Sequence, residues 1–192
     1  MRKSTLLQIL GAITLAAILI VSARAFFTAR SQVSCALRIL GSAPPSDQSP
    51  PATYSRLAAA FWQHRDLYLA RVLAQECTPD AGGALRKAQR QALSLAVVKT
   101  RLSPSQRESL GAVLLQAPDG GRGLTRLAQA EWGRPPADLD EQEMTWLFVI
   151  GQMGPGCSRQ RALSEPDRQV CASRYQSLLA ELPRLRSSAP QT

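Results

Sequence analysis

The chain has 192 residues, of which 45% are hydrophobic and 5% aromatic, and its formal net charge is +9. This length suits one domain plus an anchor, and this hydrophobic content excludes a disordered tail. The positive charge is expected to draw the body to anionic surfaces such as lipid headgroups or phosphate-bearing ligands.

An uncharged, mostly apolar segment from Ser4 to Ala23 follows two basic residues at the start of the chain. About 20 apolar residues cross a bilayer core of roughly 30 Å. We therefore expect residues 1–25 to form a signal-anchor or transmembrane helix in the inner membrane, with a single pass and the body in the periplasm. The segment Ala23-Arg24-Ala25 also fits a small-x-small cleavage site. A secreted or periplasmic body after signal cleavage is therefore the alternative.

The chain contains an even number of cysteines, which favours disulfides in an oxidising compartment. They are Cys35, Cys77, Cys157 and Cys171. We expect Cys157 to pair with Cys171, its neighbour in the sequence, and this leaves Cys35 with Cys77. Four buried free thiols are the alternative. The sequence contains no Cys-x-x-Cys pair or histidine cluster, so no metal site and no cofactor are expected.

Prolines mark the boundaries between segments. Residues 26–53 are expected to be a juxtamembrane segment and a proline-rich linker, because four prolines fall between Pro44 and Pro51. Residues 54–183 are the expected folded domain, and residues 184–192 are expected to form a flexible tail.

Apolar residues recur at spacings of three to four through the expected domain, and this period predicts helices. The predicted helices begin near Tyr54, Leu85, Ser103, Gly123, Asp140 and Ser164. Two of these starts carry a capping-box pattern, Ser103 with Gln106 and Asp140 with Glu143. The sequence shows no convincing strand alternation. We therefore predict an all-α body.

The stretch from Arg86 to Pro155 resembles the peptidoglycan glycosyltransferases of family 51, which polymerise lipid II. The matching segments are Arg86-Lys87-Ala88-Gln89-Arg90, Leu102–Gln106, Gly123-Leu124, Ala128–Arg134 and Leu139–Glu143. They follow the order of the family's motifs without a gap. The resemblance implies a compact, lysozyme-like transglycosylase-type domain at the outer face of the inner membrane. It also implies that Arg86 and Lys87 contact the phosphates of a lipid-linked substrate.

The family's catalytic residues are not matched. Phe61-x-x-His64 corresponds to the second half of the family's Glu-Asp-x-x-Phe-x-x-His-x-Gly motif, and the family's Gly-x-Ser-Thr-Ile-Thr-Gln-Gln loop is absent. Positions that are acidic in the family hold Leu57, Ala58, Arg90 and Ser109. Glycosyl transfer needs a carboxylate to deprotonate the attacking hydroxyl. The resemblance therefore implies a degenerate, truncated domain with no assigned catalytic residue.

Several single residues have ordinary structural explanations. His64 is the only histidine, and one histidine makes neither a catalytic triad nor a metal site. Trp132 and Trp146 are expected in the core. The basic residues around Arg86 and Lys87 also fit a solvated helix face.

Together these features favour a membrane-anchored, non-catalytic transglycosylase-like module, a pseudoenzyme of cell-wall or envelope assembly. Its expected partner is a lipid-linked precursor or an envelope protein. One alternative is an active peptidoglycan glycosyltransferase with relocated carboxylates, for which the candidates are Glu76, Glu108, Glu131 and Glu143. Another is a structural envelope assembly protein. Nucleic acid is not an expected partner, because export separates the body from it and no aromatic-basic recognition motif is present.

Overall fold

The computed structural model describes residues 3–62, 65–77, 83–158 and 165–188. Within these ranges the secondary structure is helical, apart from one isolated bridge between Gln116 and Arg122. The α-helices are α1 (Lys3–Ser42), α2 (Pro45–Gln48), α3 (Ala52–Phe61), α4 (Arg65–Glu76), α5 (Ala84–Arg101), α6 (Pro104–Leu114), α7 (Leu124–Trp132), α8 (Glu141–Met153) and α9 (Glu165–Ser188). The predicted all-α class is confirmed.

The first helix, α1, contains 40 residues and is about 60 Å long. In the described part of the chain it alone is long and apolar enough to cross a membrane, and a signal sequence fits the same length and composition. Its large apolar side chains are exposed at Ile13, Leu15, Ile18, Leu19, Ile20 and Val21. An apolar surface of this extent requires a lipid or protein partner.

Residues 26–53, expected to be a juxtamembrane segment and a proline-rich linker, begin inside α1. Helix α1 continues through this region to Ser42, since its sequence contains no proline and no glycine between Arg24 and Leu40. It ends two residues before Pro44, which disfavours helical geometry in the residue that precedes it. The short helix α2 follows and packs against α6.

Two other boundaries are also placed differently. The predicted helix from Tyr54 is two helices, α3 and α4, and His64 between them lies outside the described residues. Helix α9 contains Pro183 and continues to Ser188, beyond the expected start of the tail at residue 184. Ser164, the predicted start of that helix, also lies outside the described residues.

The capping signals in the sequence are confirmed. The Ser103 hydroxyl accepts a hydrogen bond from the Gln106 backbone N–H at 3.2 Å, and the Gln106 side chain accepts one from the Ser103 N–H at 2.9 Å. Asp140 and Glu143 form the same reciprocal pair at the start of α8, at 2.8 and 3.0 Å. These bonds satisfy backbone donors that a helix start otherwise leaves unpaired.

Helix α6 separates two hydrophobic clusters. One cluster joins α3, α7, α8 and α9, and α6 contributes Ala112 to it. The other joins α1, α4 and α5, and α6 contributes Leu110 and Leu114 to it. Ala36 of α1 is fully buried in this second cluster. The last turns of α1 are therefore part of the folded body.

Two disulfides bind the ends of the helices together. Cys35 of α1 is bonded to Cys77, directly after α4, and Cys157 is bonded to Cys171 of α9. These are the pairs that the sequence predicted. The first of them links α1 covalently to the body.

Candidate functional site

A cleft lies where α1 leaves its most apolar stretch and meets the end of α5. Its walls are Phe26, Ala29, Arg30 and Val33 from α1 and Arg101 from α5, and its volume is about 270 Å³. We call it the juxtamembrane cleft. It combines apolar side chains with two guanidinium groups, and this composition suits a ligand with one apolar and one anionic part.

Helical spacing accounts for the α1 side of this cleft. Phe26, Ala29, Arg30 and Val33 stand at positions i, i+3, i+4 and i+7, which share one face of a helix. The sequence pattern did not indicate Phe26 and Arg30 as site residues, because the expected membrane segment ends at residue 25. The spacing of these residues becomes informative once the helix is continued past that boundary.

The direction of α5 accounts for the other side. Arg101, at the carboxyl end of α5, lies beside residues 26–33 of α1. The amino end of α5 begins shortly after Cys77, which is bonded to Cys35 further along α1. Helix α5 therefore runs back toward the apolar stretch of α1.

The juxtamembrane cleft is electropositive. Within the described ranges, no carboxylate lies within 4.0 Å of Arg30 or Arg101. Lys99, also in the last turn of α5, is exposed and adds to the positive charge at this end of the helix. Cations here also stabilise the carboxyl end of α5 through its dipole.

Arg86 and Lys87 are at the opposite end of α5. Both lie in its first turn and are exposed. Arg86 and Arg101 are 15 residues apart in the helix, which corresponds to about 22 Å. The structure therefore does not bring the two sequence-predicted phosphate contacts together with the juxtamembrane cleft.

The carboxylates considered as relocated catalytic groups have structural partners. Glu76 pairs with Arg122 at 2.7 Å. Glu108 accepts a hydrogen bond from the Ser55 hydroxyl, and Glu131 accepts one from Ser158. Glu143 caps α8, as described above, and also pairs with Arg134.

Two of the clefts among the described residues contain two carboxylates each. Asp140 and Glu143 line one of about 420 Å³, and both are used in the capping box of α8. Asp47 and Glu76 line a cavity of about 220 Å³ together with Arg122. Asp47 is 1% exposed, and this burial raises the pKa of its carboxyl group, while hydrogen bonds from Thr125 act in the opposite direction. Its Oδ1 accepts from both the N–H and the hydroxyl of Thr125. The carboxylate of Asp47 therefore has a structural role as the cap of α7.

Trp132 and Trp146, expected in the core, lie at its edge, where both also line a cleft of about 420 Å³ with Tyr175. Trp132 and Trp146 are half-buried against the cluster of α3, α7, α8 and α9. Trp146 meets Tyr175 edge to face, with ring centroids 5.0 Å apart. In the described part of the chain, no group of three or more histidine, cysteine or acidic side chains is placed to hold a metal ion.

Comparison of the chain with protein-family models, curated proteins and solved structures finds no match.

Proposed function

We propose that this chain is a membrane-anchored, non-catalytic module of the cell envelope that binds a lipid-linked cell-wall precursor at the outer face of the inner membrane. The observation that carries the proposal is the continuity of α1. One helix contains the apolar stretch and ends inside the body, where Ala36 is buried and Cys35 is cross-linked. The body is thereby held at the membrane surface, where such a precursor presents its polar part.

The cysteines support an extracytoplasmic position for the body. Both pairs are bonded, and the described residues contain no free cysteine. Disulfides persist in the periplasm and outside the cell, whereas reducing systems in the cytosol keep thiols free.

The placement of the family-matched positions supports a non-catalytic role. Leu57 and Ala58 stand where the family has acidic residues, and both are buried in the hydrophobic core at 1% and 2% exposure. A side chain at either position does not reach a bound substrate. Two of the candidate substitutes, Glu76 of α4 and Glu108 of α6, are already paired with Arg122 and Ser55.

The test uses the purified full-length chain in lipid nanodiscs that contain a lipid-linked disaccharide pyrophosphate. We expect saturable binding, and no glycan growth under conditions in which an authentic polymerase extends the same substrate. Glycan growth above the protein-free control would establish an enzyme and refute the non-catalytic role. Absence of binding would refute the proposed ligand and favour a structural envelope protein.

A further inference from the structure

We propose that the juxtamembrane cleft binds the phosphate group of an anionic membrane lipid, with Arg30 and Arg101 as its ligands. The proposal rests on the proposed function in one respect, since it requires α1 to span the membrane. It differs from that function in the residues that bind phosphate. These are Arg30 and Arg101, whereas the family resemblance implied Arg86 and Lys87.

The depth of the cleft matches the headgroup layer. Arg30 lies seven residues after Ala23, the end of the uncharged segment, and this is about 10 Å along a helix. The interfacial layer on each side of a bilayer is about 5–8 Å thick. The backbone of Arg30 therefore lies just beyond this layer, and side chains on a helix lean toward its amino end, which is the bilayer side of Arg30. The guanidinium of Arg30 therefore reaches the level of the lipid phosphates.

The positive charge of the two arginines in the cleft favours the binding of an anion. Arg30 and Arg101 come from different helices yet line one cavity, and in the described ranges neither has a carboxylate within 4.0 Å. Each guanidinium offers a planar pair of donors that matches phosphate oxygens. A phosphate between them offsets the repulsion of two like charges.

The apolar wall favours a phosphate carried by a lipid over one free in solution. Phe26 and Ala29 form the apolar part of the cleft on the bilayer side of Arg30, and Phe26 is 56% exposed in the isolated chain. A dissolved phosphate gains nothing from these side chains. The glycerol and upper acyl region of a lipid covers them while its phosphate meets the arginines.

The experiment measures lipid retention by native mass spectrometry of the full-length chain released from nanodiscs. The nanodiscs contain phosphatidylcholine with a minor fraction of phosphatidylglycerol, or the same mixture with a lipid-linked pyrophosphate. We expect the wild-type chain to retain one phosphatidylglycerol. The double variant Arg30→Gln/Arg101→Gln is expected to lose retention by about tenfold or more, because it removes both charge-assisted contacts.

The matched control is Arg24→Gln/Arg38→Gln, which removes the same charge from exposed residues of α1 that do not line the cleft. We expect it to change retention far less. An equal loss in this control would show diffuse attraction to the bilayer and overturn the assignment. Phe26→Ala leaves the charge intact and is expected to weaken retention of the lipid, and unchanged retention would overturn the role of the apolar wall.

Two further arms separate the possible outcomes. Displacement of the lipid by millimolar inorganic phosphate would overturn the lipid as the source of the anion. Retention of the pyrophosphate lipid that survives Arg30→Gln/Arg101→Gln but is lost in Arg86→Gln/Lys87→Gln would leave the proposed function standing at the amino end of α5. Phosphatidylglycerol retention that survives Arg30→Gln/Arg101→Gln would overturn this inference, whatever the result with the pyrophosphate lipid. Far-ultraviolet circular dichroism and intact disulfides show that each variant is folded.

Discussion

Asp47 of α2 caps α7 from a distant part of the chain, through the backbone N–H of Thr125. The N–H donates to Asp47 Oδ1 at 2.8 Å across a sequence separation of 78 residues. Helix α7 needs this partner because its own N-cap, Gly123, provides no side-chain hydrogen bond. Thr125 is the second residue of the helix. An N-cap side chain normally accepts a hydrogen bond from the backbone N–H at this position. The bond joins the segment after the anchor helix to the centre of the body.

Removal of this cap is expected to destabilise the body. Asp47→Ala leaves the part-buried N–H of Thr125 without this acceptor and should lower the free energy of unfolding by about 1–3 kcal/mol. Asp47→Asn keeps an oxygen that accepts the same bonds and should cost much less. Thermal unfolding of the full chain in detergent, followed by circular dichroism, compares the two. Equal losses would show that the cap contributes little.

The same carboxylate is expected to make stability depend on pH. Burial raises the pKa of Asp47 above its ordinary value, so over the interval between the two values the folded state binds more protons than the unfolded state. The stabilisation that protonated Asp47 gives the folded state is complete below its unfolded-state pKa, and it is lost as the pH rises through its folded-state pKa. Asp47→Asn should remove this component. The check is the difference in unfolding free energy between wild type and Asp47→Asn from about pH 4 to about pH 7. A difference that stays constant across that range would contradict the assignment.

Gly123 is expected to tolerate substitution less well than Gly133. Gly123 has a φ of +117°, and a Cβ built there lies 2.4 Å from Oδ2 of Asp47. Gly133 has a φ of +65° with open space around its Cβ position. Gly133→Ala should therefore cost about 1–2 kcal/mol from backbone strain alone, whereas Gly123→Ala adds a steric clash with the capping carboxylate. Unfolding of both variants in detergent provides the comparison, and a smaller cost at Gly123 would be inconsistent with the close approach.

The disulfides are expected to differ in their contribution to stability. Cys35 and Cys77 are 42 residues apart, and Cys157 and Cys171 are 14 apart. In the chain-entropy model, loops of these lengths contribute about 4 and about 3 kcal/mol. Cys35→Ser/Cys77→Ser should therefore destabilise the chain more than Cys157→Ser/Cys171→Ser. Denaturant unfolding of the two double variants under identical conditions tests this order, and the reverse order would indicate that residual structure in the unfolded chain dominates.

Local signals predicted much of this fold. The capping boxes at Ser103 and Asp140 marked helix starts because each uses only contacts within one turn. The cysteine pairing followed from one short separation, at Cys157 and Cys171.

Features that depend on distant contacts were not predictable from local patterns. Asp47 lay in an expected linker, and nothing near it in the sequence indicates that its partner is Thr125. The juxtamembrane cleft forms because α1 extends past residue 25 and because the carboxyl end of α5 lies beside residues 26–33 of α1. Arg86 and Lys87 were expected near phosphate by resemblance, whereas the charged cleft is built from Arg30 and Arg101.

Retention of α1 in the membrane is the condition on which both proposals depend, and the intact mass of the chain after alkaline extraction of membranes tests it most directly. We expect an uncleaved chain in the membrane pellet that still carries Ser4–Ala23 and contains both disulfides. A soluble chain that begins after Ala25 would contradict the anchor and with it the binding of lipid phosphate at the juxtamembrane cleft.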